Sequence, residues 1–288
     1  MTRKRKAILF STLIIVILLL GIYFLKNNYQ KENGASIRIN TPTLFVHGWG
    51  SSYHAEESMV AYAQKHHATN SVIRADVSST GKVTLIGTIK KRAKNPIVEV
   101  NLQNNKSIFA GTNNQIATMN KSSNYIKDVI IALQKRYHFK RINLVGHSMG
   151  NLQIAYYLHN NATNSHMPHL NKQVSIAGHY NGYIGEQGTP NKTVLNRTGK
   201  PQKMSAGYRE LLSLRKNFPQ NAVVLNIFGD TGTGSDGDVT VNSARSYRYL
   251  VGKRARSYQE KEIRGSKAQH SKLHENTQVD RLLVNFLW

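Results

Sequence analysis

The chain has 288 residues, 39 Lys+Arg against 15 Asp+Glu, no cysteine, and a formal net charge of +24. That length holds one large domain with appendages and ample core. The lack of cysteine excludes a disulfide framework, thiolate metal ligands and a cysteine nucleophile. The charge makes nucleic acid, anionic lipid headgroups and an anionic cell envelope candidate partners.

Residues 1–6 contain Arg3, Lys4, Arg5 and Lys6, and residues 7–25 carry no charge. As a helix the uncharged run is about 28 Å long, close to the ~30 Å hydrocarbon core of a bilayer. It is longer than the apolar region of a cleaved signal peptide, and residues 21–27 offer no small-residue cleavage pattern. The expectation is a transmembrane signal-anchor at 7–25, with a cleaved signal as the alternative. The basic tail 1–6 then stays in the cytoplasm and everything after Lys26 lies outside. Residues 26–40, punctuated by Asn33-Gly34, read as a tether. The basic residues elsewhere are scattered, and no helix-turn-helix, zinc-finger or RNA-binding signature accompanies them. With an exported topology, nucleic acid is set aside and anionic envelope polymers remain the candidate macromolecular partner.

Residues 41–288 read as one α/β domain. Residues 43–46 are an apolar strand candidate ending in His47-Gly48-Trp49-Gly50. A helix at 56–68 and a strand at 71–77 follow, which is the β-α-β unit of a parallel sheet. Residues 82–90 and 97–103 alternate, with a basic turn between them, and are expected as a β-hairpin or edge addition. A helix is expected over 120–138, where Ile126, Val129, Ile130, Leu133 and Tyr137 fall at helical spacing.

The most informative stretch comes next: Asn143-Leu144-Val145-Gly146-His147-Ser148-Met149-Gly150. An apolar run ends at a glycine, a serine sits two residues on between glycines, and a helical pattern begins at once. G-x-S-x-G in this context is a nucleophile elbow. Strand and helix pass so close there that only glycine fits at Gly146 and Gly150. Beyond it the pattern predicts a strand at 174–178 and a Gly-, Asn- and Thr-rich loop at 179–205, long enough to be a lid or binding loop. Helices are expected at 206–217 and 241–251, strands at 222–228 and 258–263, an acidic glycine-rich loop at 229–238, and an amphipathic helix at 277–288.

A serine becomes a nucleophile at neutral pH only with a base and an orienting acid. In a doubly wound hydrolase these follow in the order Ser, Asp or Glu, His, each in a loop after a strand. Asp236 lies beyond the 222–228 strand and His270 beyond the 258–263 strand. Asp230 and His274 compete for the two roles. The oxyanion hole needs two backbone N–H groups, and Met149, after the serine, and Trp49, after His47-Gly48, are the candidates.

Leu44-Phe45-Val46-His47-Gly48, the elbow, Ser235-Asp236-Gly237-Asp238-Val239, and His270 before a C-terminal helix together resemble the α/β-hydrolase superfamily. The resemblance spans residues 41–288 and is strongest to the lipase-like, membrane-anchored cell surface hydrolases of Gram-positive bacteria. It implies an eight-stranded, mostly parallel sheet with helices on both faces, an extracytoplasmic site and no cofactor. It also implies Asp236, rather than Asp230, as the acid. The expected activity is a serine esterase acting on an ester-type small molecule or lipid. An acyltransferase or thioesterase using the same triad, and a non-catalytic envelope-binding protein on this fold, are the alternatives. No metal is expected: Gly229–Gly234 lacks the Lys-Ser/Thr of a phosphate loop, Asp230, Asp236 and Asp238 lack calcium-loop spacing, and His166 with His169 has no third ligand.

Overall fold

The structure is a computed structural model that describes residues 17–23, 37–107, 115–190 and 192–288. Residues 17–23 are helical, with exposed apolar side chains such as Ile17, Leu18 and Leu19. Among the described residues no helix is long and apolar enough to cross a membrane. The rest of the span expected at 7–25, the basic tail 1–6 and the tether as far as residue 36 lie outside the described residues.

Residues 38–288 form the second unit, built on one eight-stranded sheet. Its strands are β1 (Thr43–Val46), β2 (Val72–Val77), β3 (Val83–Ile86), β4 (Ile97–Leu102), β5 (Arg141–His147), β6 (His169–Ile176), β7 (Val223–Asp230) and β8 (Ser257–Arg264). The spatial order is β8-β7-β6-β5-β1-β4-β2-β3, parallel throughout except for β3.

The hairpin expected from residues 82–103 is not formed. β3 pairs antiparallel with β2 at the sheet edge, whereas β4 runs parallel between β1 and β2. Burial explains the split. Ile97, Val98, Val100 and Leu102 are all buried, which suits an interior strand covered on both faces. β3 alternates half-buried and exposed residues, which suits an edge with one wet face.

Helices α1 (Glu57–Lys65), α2 (Gln115–Arg136), α3 (Met149–Asn161) and α8 (Thr277–Leu287) cover the sheet. Met59, Val60 and Ala63 of α1 share one apolar cluster with Val279, Leu283 and Leu287 of α8 and with Phe45, Val145, Val174 and Leu225 of the strands. Leu144, one residue out of phase with Val145, meets Tyr157 and Leu158 of α3 on the other face. Each fully buried aliphatic or aromatic side chain contributes roughly 1.5–3 kcal/mol. The helix expected at 206–217 is broken into α4 (Ala206–Glu210) and α5 (Leu214–Asn217) by a 3-10 turn, and 241–251 into α6 (Val241–Arg245) and α7 (Tyr247–Val251). The break at Ser246 coincides with its hydroxyl donating to the Ser243 carbonyl at 2.6 Å, a local side-chain bond that competes with the helix.

Because seven strands run the same way, the loops after β1, β5, β6, β7 and β8 emerge at one end of the sheet. That end is where open α/β sheets hold their sites.

Candidate functional site

Ser148 sits between β5 and α3 with φ 51° and ψ −123°, a backbone conformation rare for a side-chain-bearing residue. Its N–H donates to the Ile176 carbonyl at 2.9 Å, and Asn151 N–H donates back to the Ser148 carbonyl at 3.0 Å. The flanking glycines are sterically required. A Cβ on Gly150 would lie 2.1 Å from the Val46 carbonyl oxygen, and one on Gly146 would lie 2.6 Å from Asn151 Oδ1. Asn151 is fully buried on the first turn of α3 and donates through Nδ2 to the Ile176 carbonyl at 2.8 Å, tying the elbow to β6.

Three residues singled out from the sequence meet here. Ser148 Oγ lies 2.9 Å from His270 Nε2, and His270 Nδ1 lies 2.9 Å from Asp236 Oδ2. The carboxylate can only accept, so Nδ1 carries the proton and Nε2 is left to accept from the serine hydroxyl. Asp236 is held in turn: its Oδ1 accepts from the N–H groups of Asp238 at 3.0 Å and Val239 at 2.7 Å. Its carbonyl accepts the His270 N–H at 2.9 Å, so the two loops are joined through backbone as well as side chain. Asp236 is 1% and His270 7% exposed, which shields the bond between them from water.

Asp230 is not in this chain of contacts. Its Oδ1 accepts from the Gly232 and Gly234 N–H groups at 2.8 and 2.9 Å, bracing its own loop. Those backbone bonds, that from Gly232 foremost, hold its carboxyl below the ordinary range. His274 stands edge-on to His147, ring centroids 4.8 Å apart, rather than facing Ser148 through a hydrogen bond.

Several neighbours carried no clear signal in the sequence. His147 Nε2 donates to the His270 carbonyl at 3.1 Å and its ring lies 5.0 Å from that of His270. Burial, then the nearby His270 and His274, push its pKa well below the ordinary value, so it is neutral. On the loop after β1, His47 Nε2 accepts the Leu102 N–H at 3.0 Å and Nδ1 donates to the Gly48 carbonyl at 2.9 Å. Asn105 Nδ2 donates to the same carbonyl at 2.6 Å. His47 and Asn105 thus fix the peptide that precedes Trp49. His179 is buried after β6, and desolvation lowers its pKa to about 3.

Ser148 opens into a cavity of about 490 Å³, large enough for a small ester or part of a lipid. Trp49 and Met149 both line it; Met149 is the first residue of α3, where an N–H has no intrahelical acceptor. From the expected loop at 179–205, His179, Tyr183 and Ile184 form part of the wall. The base of that loop is closed by Asn181, which donates to the Lys203 carbonyl at 3.0 Å and accepts the Ser205 N–H at 2.9 Å. Among the described residues, no three His, Asp or Glu are placed to hold a metal ion.

Comparison with known proteins agrees with this architecture. The profile of a family described as "Alpha/beta hydrolase of unknown function (DUF915)" matches residues 30–288. A gene product of Listeria innocua is similar in structure, with a TM-score of 0.74 and 23% identity, covering 86% of this chain and 94% of that one. A protein of Lactobacillus plantarum described as a candidate cell surface hydrolase has a TM-score of 0.64 and 22% identity, covering 85% of this chain and 88% of that one. No match was found among curated proteins.

Proposed function

The chain belongs to this family of α/β hydrolases, and from that premise we propose that it is a serine hydrolase cleaving carboxylic esters, with Ser148 as nucleophile, His270 as base and Asp236 as orienting acid. The observation that carries the reading is the unbroken run of contacts from Ser148 Oγ to His270 to Asp236, 2.9 Å at each step, at the wall of a cavity.

In this reading His270 Nε2 takes the serine proton as Oγ attacks the ester carbonyl, and Asp236 stabilises the imidazolium that forms. The N–H groups of Met149 and Trp49 receive the charge that develops on the carbonyl oxygen. His270 returns the proton to the departing alcohol, leaving an acyl-enzyme, and then activates water for the second half. His147 and the Asp236 carbonyl hold the His270 backbone, so the ring is aimed before substrate arrives.

The basic cluster at residues 3–6, the uncharged run 7–25 and the cell-surface description of the Lactobacillus relative support a single-span membrane protein with its catalytic part outside. Protease added to intact protoplasts then removes the catalytic part; protection until lysis refutes that topology.

The chemistry is tested by labelling with a fluorophosphonate and by turnover of nitrophenyl esters. Wild type labels and turns over, and Ser148→Ala does neither beyond the slight residue an oxyanion hole can sustain. Wild-type rates in Ser148→Ala would remove the assignment. Labelling with acyl transfer to an added alcohol or thiol, and little hydrolysis, would move the reading to an acyltransferase.

A further inference from the structure

The chain carries 39 Lys+Arg against 15 Asp+Glu, yet among the described residues no lysine or arginine lines the cavity at Ser148. Lys106 lies against Gly50 on the adjoining loop and Lys272 follows Ser271, but neither is part of the wall. The acidic residue that does line it is Asp238. Its backbone is pinned on both sides: the N–H donates to Asp236 Oδ1 at 3.0 Å, and the carbonyl accepts the Ile184 N–H at 2.8 Å. The main chain is thus fixed by the loop, and the residue is exposed in the wall of the cavity. Two aromatic rings, Trp49 and Tyr183, line the same cavity, and Trp49 is 57% exposed. An exposed aromatic face and a carboxylate are the two groups that attract an ammonium ion. Besides the base His270, the wall histidines His147, His179 and His274 have pKa values lowered by burial, so these three add no opposing charge.

We infer that the cavity favours esters bearing a positively charged ammonium group near the scissile carbonyl, held by the Asp238 carboxylate and the Trp49 and Tyr183 rings. The inference rests on the hydrolase reading above and adds a substrate class to it. Basic groups farther out than Lys106 and Lys272 are screened beyond about 8 Å at physiological salt, so within the wall itself the Asp238 carboxylate is the group of opposite sign to an ammonium ion.

The test is a set of matched esters given to the wild-type protein. On the alcohol side, choline butyrate is compared with its neutral isostere neohexyl butyrate and with sulfoethyl butyrate. On the acyl side, the ethyl ester of γ-aminobutyrate is compared with ethyl pentanoate. The expected kcat/KM ratio, cationic over neutral, is on the order of tenfold in at least one arm and shrinks as salt is added. Which arm responds tells whether the charge belongs to the alcohol or the acyl part. In Asp238→Asn the ratio falls toward one, and in Asp238→Lys the sulfoethyl ester overtakes the choline ester. Turnover of the neutral esters with a ratio near one in both arms, or a ratio unchanged by Asp238→Asn, overturns the inference and leaves the hydrolase reading standing. Failure to turn over any ester, without fluorophosphonate labelling, overturns both.

Discussion

Glu56 offers a sharp test of how burial sets the stability of the loop that leads away from the site. It ends a 3-10 turn at Tyr53–Glu56, directly after the loop carrying Trp49, and is 1% exposed. Neither carboxyl oxygen has a hydrogen-bond partner among the described residues. Burial, and then the nearby Glu99 carboxylate, push its pKa from 4.5 up to about 8. Glu99 is itself raised to about 7, by burial first and then by Glu57. Because the folded pKa lies above the unfolded one, the native state binds more protons between these values. Stability is then greatest below about pH 4.5 and falls as pH rises through 8. At about 1.4 kcal/mol per unit, the ionised carboxylate costs up to roughly 5 kcal/mol. Glu56→Gln abolishes this ionisation with little change in shape. The variant should melt with the wild type at pH 5 and above it at pH 9, by up to on the order of 10 °C. The measurement is the difference in Tm between the two proteins across pH 5–9, which cancels other titrating groups such as Asp280, raised to about 6 by burial. A difference that stays flat across that range would refute the reasoning.

Asp236→Asn should lower ester turnover by about 10⁴-fold with the fold retained, since it loses the acceptor that sets the His270 tautomer; Asp230→Asn should instead loosen its glycine-rich loop and leave turnover close to wild type. The reverse pattern in a parallel assay would transfer the acid's role to Asp230. Gly150→Ala should destabilise by about 3 kcal/mol or more, seen as loss of soluble protein or a lowered urea midpoint, because its Cβ would lie 2.1 Å from the Val46 carbonyl oxygen. Asn151→Ala should reduce fluorophosphonate labelling more than overall stability, as the Ile176 carbonyl loses the 2.8 Å bond that ties the elbow to β6; equal labelling rates would show that the elbow holds without it.

What is local could be read from residue order and spacing. The elbow was legible because its requirement is steric and confined to a few neighbours: Gly146 and Gly150 leave room for Asn151 and the Val46 carbonyl, as a strand-to-helix turn of this tightness demands. The apolar runs of β1, β5 and β7 and the period of α8 were legible for a similar reason, since burial on one or both faces is written into residue spacing. What involves distant partners depends on how the chain packs. Residues 83–86 and 97–102 looked like a hairpin by proximity, but both pair with 72–77 instead, because an interior place in a parallel sheet buries Ile97, Val98 and Val100 on both faces. His270 and His274 are alike in sequence context, as are Asp230 and Asp236. They part because a hydrogen bond needs two atoms within about 3 Å, a distance fixed by how the loops after β7 and β8 meet. His147 and His179 escaped notice for the same reason: their roles come from what packs around them, and that is a property of the fold rather than of the stretch of chain on which they lie.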